Sequence, residues 1–516
     1  MLLNRAIILL NFVAISLAER PCAQRIYQSS DKNIVCVCNS TYCDDIEPIR
    51  DIPYGNAVFY TSSLSGKRFE RSSTLISEGF SSSDVTITID GRKTYQSIIG
   101  FGGAFTDAAG INLRSLSEET QRNLLETYFG ENGIEYSIAR VPIASTDFST
   151  REYSYAESAG DFNMDKFKLA EEDYKYKIPY ILSARNLTEH NLLLYASPWS
   201  APAWMKENGH MKGGGALMGD VNGKYYQSYA TYLVKFFEEY AKHGIPFWGM
   251  TLQNEPSSGA LPFYKWQTMF FSAPMQRDFV KVTLGPMLKR NNVTKELKVM
   301  TLDDNRFALP SWADIIFNDN EAAKYVDGVA VHWYLDGLIP ASVLTTTHNR
   351  HPDKFILATE ACAGVFFGHG PILGDWYRAE EYAVNIIEDL NHFAAGWTDW
   401  NMCLNEQGGP NWVANFVDSP IIVNATSDEF YKQPMFYAMG HFSKFFKRDA
   451  VRVNTAVTGS KGVLATAFTY KGRRIVALVN TVSSSIGIAV NDATTSHHLH
   501  LIVEPHSVVT VLWDKQ

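Results

Sequence analysis

Between about residues 96 and 440, short apolar runs of strand character alternate with stretches whose apolar residues recur at helical spacing. The runs Ser97–Gly102, Ile134–Val141, Leu192–Ser197, Phe247–Leu252, Leu297–Leu302, Gly328–Trp333, Phe355–Thr359 and Gly396–Trp400 predict eight strands. Tyr229, Leu233, Phe236, Phe237 and Tyr240 fall on one helical face, and Gly244 and Pro246 then close that helix. Ala383, Ile386, Ile387, Leu390 and Ala394 repeat the pattern before the eighth strand. The alternation predicts an α/β fold, a (β/α)8 TIM barrel, with its active site at the C-terminal ends of the strands. An open doubly wound sheet would want a complete glycine fingerprint after the first strand. Gly100-Phe101-Gly102-Gly103-Ala104-Phe105 lacks the last glycine and reads as a tight turn.

The flanks have period two. Val463–Tyr470, a Lys471-Gly472 turn, Arg474–Asn480 and Val508–Trp513 read as strands, as do Val58–Thr61 and Val85–Ile89. Residues 51–95 and 441–516 are therefore expected to form one accessory all-β sandwich beside a barrel at 96–440.

Composition narrows the class. The 516 residues are 46% hydrophobic and 20% charged, enough for a large core, and the net charge of −9 argues against a nucleic-acid partner. Arg5, the apolar run Ala6–Leu17 and the small-residue ending Ser16-Leu17-Ala18 make residues 1–18 a secretory signal. Residues 19–50 read as a disulfide-rich segment, because Cys22, Cys36, Cys38 and Cys43 crowd behind that leader. Four cysteines allow three pairings, and the sequence does not choose among them. Cys362 and Cys403 stand apart and read as buried thiols. Asn39, Asn186, Asn292 and Asn424 each open a glycosylation sequon, which places each in a surface loop or turn.

The chemistry lies at two strand ends. Thr251-Leu252-Gln253-Asn254-Glu255-Pro256 ends the fourth strand and Phe355-Ile356-Leu357-Ala358-Thr359-Glu360-Ala361 the seventh. One glutamate at a strand end is usually a solvated surface group. A matched pair is what glycoside cleavage needs, one carboxyl protonating the leaving oxygen while the other attacks the sugar. Glu255 is assigned as acid/base and Glu360 as nucleophile. Asn254 is placed to hydrogen-bond a sugar hydroxyl, and Pro256 to hold Glu255 extended.

Around these glutamates the chain resembles the lysosomal glucosylceramidases (acid β-glucosidases). The likeness includes Cys36-Val37-Cys38-Asn39, Gly100–Asp107, Arg140-Val141-Pro142, Ala196-Ser197-Pro198-Trp199, His332-Trp333-Tyr334-Leu335-Asp336, Gly396–Asn401 and Gly408–Pro420, and it covers essentially the whole mature chain. The resemblance implies a retaining mechanism with the carboxylates ~5–5.5 Å apart and disulfides Cys22–Cys36 and Cys38–Cys43. It implies that Asp147, Trp199, Asn254, Trp400 and Asn415 bind glucose hydroxyls, that Arg140 keeps Glu360 ionised, and that Tyr334 contacts the glutamates. By residue type alone, Trp199 and Trp400 read equally as core aromatics, Arg140 as a structural ion pair and His332 as a satisfied core histidine.

The entrance loops carry Phe263-Tyr264-Lys265-Trp266, Phe270-Phe271 and Phe366-Phe367. Tyr264 fits the family's aromatic, whereas Trp266 and Val365 depart from it, which bears on the lipid half of the substrate. Aromatics there suit an acyl chain and an anionic membrane surface. No cofactor and no metal are expected. The resemblance implies glucosylceramide as substrate, a saposin-like activator, a sorting receptor and the lysosome lumen, with secretion as the alternative.

Overall fold

The computed structural model describes residues 20–27, 33–188, 191–365, 370–459 and 462–515. The leader at 1–18 and Phe366-Phe367 lie outside these. Eight parallel strands close into a barrel: β1 Gly100–Ala104, β2 Ile138–Ile143, β3 Leu193–Pro198, β4 Gly249–Thr251, β5 Lys298–Asn305, β6 Gly328–His332, β7 Phe355–Glu360 and β8 Ala394–Asn401. Consecutive strands pair, and β8 pairs with β1. Ile138, Tyr195, Met300, Ala330 and Leu357, from five of the strands, form one buried cluster. Helix α1, Lys224–Lys242, turns Tyr229, Leu233, Phe236 and Tyr240 inward, and α2, Trp376–Asn391, does the same with Ala383, Ile386, Ile387 and Leu390.

The glycine run is not a turn. It is β1 itself, and the missing side chains let strands approach. A Cβ on Gly102 would stand 1.6 Å from the Ile138 carbonyl oxygen, and one on Gly396 would stand 2.0 Å from that of Gly100.

The flanks join as expected. Four strands from residues 56–97 and six from 451–514 form one ten-stranded ladder. It folds over a shared core of Val85, Ile87, Val476, Ile488, Leu501 and Val511, and near its ends Thr74 Oγ1 donates to His500 O at 3.1 Å. Helix α3, Pro434–Ser443, docks this ladder onto the barrel. Its His441 is fully buried between Thr510 Oγ1 at 2.9 Å and Ser62 Oγ at 3.0 Å, stacked on Phe69. Burial pushes its imidazole down to about 3. The unfolded chain then binds a proton below about 6.5 that the folded chain refuses, so stability falls as pH drops from there toward 3. His441→Gln is expected to flatten the fall in Tm between pH 6.5 and 4.5, read by calorimetry; an unchanged slope would refute this account.

The domain division needs one correction. Residues 19–50 do not stand alone, and 96–440 is not all barrel. Gln24–Ile26 and Ile34–Asn39 join Glu429–Lys432, Ile421–Asn424 and Leu404–Asn405 in a five-stranded sheet. Two short strands cannot bury a core of their own. Here Val35, Leu404, Val417, Ile422 and Tyr431 pack together with Trp199, Trp400 and Cys362, so the sheet buttresses one wall of the barrel mouth. Disulfides join Cys22 to Cys36 and Cys38 to Cys43, while Cys362 and Cys403 are free and buried. Three of the four sequons sit at element ends rather than in loops. Asn39 and Asn424 end strands and Asn186 lies in a helix's last turn, while Asn292 lies in a turn. Asn186 and Asn292 are exposed, whereas the Asn424 amide donates to Tyr431 OH at 2.9 Å.

Candidate active site

A cavity of about 270 Å3 opens at the C-terminal ends of the barrel strands. Its wall includes Glu255, Glu360, Asp147, Trp199, Asn254 and Tyr264, with Tyr334, Trp400 and Asn415 completing the residues read from the sequence. Arg140 lies beneath, buried on β2. Glu360 is the last residue of β7. Glu255 does not end β4. That strand stops at Thr251, and Glu255 sits in the following turn at φ +41°. The extended geometry expected before Pro256 is overridden by two backbone bonds, Glu255 N to Asp303 O at 2.8 Å and Ser258 N to Glu255 O at 3.0 Å. Holding a glutamate there costs about 1–3 kcal/mol and aims its carboxyl at the cavity.

One carboxylate oxygen of Glu255, one of Glu360 and a ring nitrogen of His332 lie within 4.8 Å of one another. Arg140 Nη1 donates to Glu360 Oε2, and Tyr334 OH donates to Glu360 Oε1 at 2.8 Å. Tyr264 OH donates to Glu255 Oε2 at 3.0 Å. Arg140 also reaches Asn254 Oδ1 at 2.9 Å, Asp303 Oδ2 at 2.7 Å and Ser197 Oγ at 3.1 Å. Its guanidinium packs 4.8 Å from the Trp199 ring and 5.5 Å from that of Trp400, and those rings stack at 5.1 Å. Among the described residues neither indole N–H has a hydrogen-bond partner, nor does the Asn254 amide nitrogen. These donors are free for a ligand. Asn415 Nδ2 donates to Asp147 Oδ2 at 2.9 Å, fixing that carboxyl in the wall.

The electrostatics follow from burial opposed by pairing. Burial pushes Glu360 up, while His332, Arg140 and the Tyr334 hydroxyl pull it back toward the carboxylate. Asp147 is pushed up to about 7 by burial, against the hydrogen bond from Asn415. Burial alone would lower His332, but Glu360, Asp303 and Glu255 raise it to about 10. It is therefore an imidazolium at neutral and acidic pH. In that state its Nδ1 has no lone pair for a metal, although the Glu255, His332 and Glu360 atoms have ligand spacing.

Asp303 is the residue sequence reading missed. It is fully buried, and it accepts from Arg140, from Thr251 Oγ1 at 2.6 Å and from Thr359 Oγ1 at 2.7 Å, and faces His332 Nε2 at 3.0 Å. Burial alone would raise its carboxyl, yet Arg140 and His332 hold it well below the ordinary range. A register break between Leu302 and Asp304 turns it inward. The signal was present, since Asp303-Asp304 follows the fifth apolar run as Glu360 follows the seventh. His332 is a satisfied buried histidine, as its type suggested, but it also faces both glutamates.

A family model for the glycosyl hydrolase family 30 TIM-barrel domain matches residues 98–446, which spans the barrel and α3. The chain belongs to glycosyl hydrolase family 30. It is a glycoside hydrolase. It is 54% identical to a Caenorhabditis elegans protein named "Putative glucosylceramidase 3", over 97% of this chain and 96% of that one. It is 42% identical to mouse lysosomal acid glucosylceramidase over 98% of each chain. The crystal structure of SrfJ from Salmonella typhimurium superposes with a TM-score of 0.82 at 28% identity, over 89% of this chain and all of that one. Family 30 membership supports the barrel and the hydrolase class; the roles of single residues rest on geometry.

Proposed function

We propose that this chain is a retaining β-glucosidase that hydrolyses glucosylceramide to glucose and ceramide. The observation that carries the reading is the pair of carboxylates facing one cavity, with oxygens within 4.8 Å. That spacing suits double displacement, whereas an inverting pair stands ~6.5–9.5 Å apart to admit a water. Two relatives whose names include glucosylceramidase, matched over nearly their full length, support the substrate.

In this reading Glu360 attacks the anomeric carbon as the bond to the ceramide oxygen breaks, and Glu255 gives that oxygen its proton. A glucosyl ester on Glu360 results. Water then attacks the same carbon, Glu255 takes the water's proton, and Glu360 leaves as a carboxylate. Arg140 and the His332 imidazolium favour the ionised nucleophile, and Asp303 balances their charge. Asp147, Asn254, Asn415 and the two indoles are the sugar contacts. Burial keeps a large share of Asp147 protonated in an acidic lumen, so it donates as well as accepts.

The rim suits the lipid half. Phe263 is 93% exposed and Leu338 80%, and a second groove of about 590 Å3 runs outward past Leu261, Phe263, Trp266 and Val365. Such apolar edges beside a polar pocket fit acyl chains and an anionic membrane surface. Among the described residues no helix is long and apolar enough to cross a membrane. The lysosome lumen, a saposin-like activator and a sorting receptor complete the proposal, with Asn186 and Asn292 as the accessible glycosylation sites. The test compares turnover of glucosylceramide in anionic micelles with that of soluble β-glucosides and xylan. Rapid xylan cleavage with indifference to the lipid would overturn the substrate assignment and leave the hydrolase chemistry standing.

A further inference from the structure

Lys206 is 1% exposed, just past the short helix Ala203–Met205 that follows β3. Among the described residues no carboxylate pairs with it. Its Nζ donates to two neutral carbonyls, Met211 O at 3.0 Å and Thr268 O at 2.5 Å. Burial pushes the ammonium down to about 8, with Glu152 opposing from a distance. A buried ammonium held by carbonyls alone gains little stability over a methionine of similar length. Its value lies in what the two carbonyls hold.

Met211 belongs to the loop at 206–217. Thr268 belongs to the loop at 257–271, which carries Tyr264. Backbone bonds join the loops, from Thr268 N to Met211 O, Gly213 N to Tyr264 O and Gly215 N to Gly259 O, each at 3.0 Å. Lys206 is the side-chain clamp at this crossing. From Thr268 the path to the acid/base candidate is short. Thr268 Oγ1 meets Ser258 Oγ at 2.6 Å, and Ser258 Oγ donates to Glu255 O at 2.7 Å. The same loop delivers the Tyr264 hydroxyl to Glu255 Oε2.

We propose that Lys206 is a positioning residue for proton transfer, holding Tyr264 and the Ser258 turn in register with Glu255. This rests on the assignment of Glu255 as acid/base. Tyr264 donates to one oxygen of that carboxyl and so sets which oxygen carries the proton toward the leaving group. Lys206 never meets the substrate. A loss of register is felt where the leaving group needs a proton and little where it does not.

The test measures kcat/KM, which reports the first chemical step, on an alkyl β-glucoside and on 2,4-dinitrophenyl β-glucoside. Lys206→Met is expected to lose about tenfold on the alkyl glucoside and under about twofold on the dinitrophenyl glucoside. Its Tm should stay within a few degrees of the parent, because an unpaired buried charge is removed with the bonds. Tyr264→Phe should show the same split, and the double variant should be no worse than the single ones. Equal losses on both substrates, or additive losses in the double variant, would overturn the proposal. Should Lys206→Met not fold, Lys206→Gln, which removes the charge and keeps an amide NH2 on a shorter stem, carries the same comparison. Glu255→Gln is the control. If it shows no split, the acid/base assignment fails and the proposal with it. If it shows the split and neither Lys206 variant does, only the Lys206 proposal fails.

Discussion

Glu360→Gln is expected to lower kcat by about four orders of magnitude or more on every β-glucoside, whatever the leaving group. Among the described residues the other carboxylates at the site are otherwise engaged: Asp303 is consumed by Arg140, His332, Thr251 and Thr359, Asp147 is held by Asn411 and Asn415, and Glu255 is assigned the proton transfer. The amide keeps the size of the acid and can accept from Arg140, so the fold should persist. Arg140 retains Asp303 at 2.7 Å as counter-ion. A β-glucose-configured epoxide should label the parent on Glu360 and leave the variant unlabelled, read by mass spectrometry of the peptides. Label on another residue would overturn the assignment.

The pH profile carries the same signature. Attack needs the ionised carboxyl, and burial raises Glu360 above its ordinary range. The acid limb of kcat/KM should therefore lie above the ~4.3 of a free glutamate. Activity is lost as pH falls through that raised value.

The barrel was legible because its strands are short apolar runs separated by helical periodicity. The two glutamates were legible because each stands beside such a run. What escaped had no such marker. Asp303 sits next to Asp304 on β5, and the inward turn that separates their roles is a break in register, a property of pairing rather than of residue type. The left-handed backbone of Glu255 was hidden for the same reason, since Asp303, distant in sequence, accepts its N–H, and the turn bond from Ser258 completes the arrangement. The glycines of β1 were misread because glycine serves turns and close strand contact alike, and only the carbonyls of Ile138 and Gly100 decide between them. The N-terminal strands gave no hint that their partners lie some 390 residues on, at 429–432.

Glu255→Gln should separate the two halves of the reaction. The amide has no proton of suitable acidity to give a departing alcohol, so kcat/KM on alkyl glucosides is expected to fall by about 10²–10⁴. With a dinitrophenol leaving group no proton is needed, and the glucosyl ester should form at near the parent rate. Water must then attack that ester without a base. The ester accumulates, giving a burst of dinitrophenol followed by a slow steady state. Its mass should be visible on the peptide bearing Glu360. Azide needs no base, so adding it should speed the slow phase and yield β-glucosyl azide, the retained configuration expected of two inversions at one carbon. His332, 3.4 Å from Glu255 Oε1, does not substitute. As an imidazolium bound to Asp303 through Nε2, it has no basic nitrogen with which to activate water. Parent-like steady-state kinetics on alkyl glucosides would remove Glu255 from the acid/base role. An azide product of inverted configuration would refute the double displacement itself.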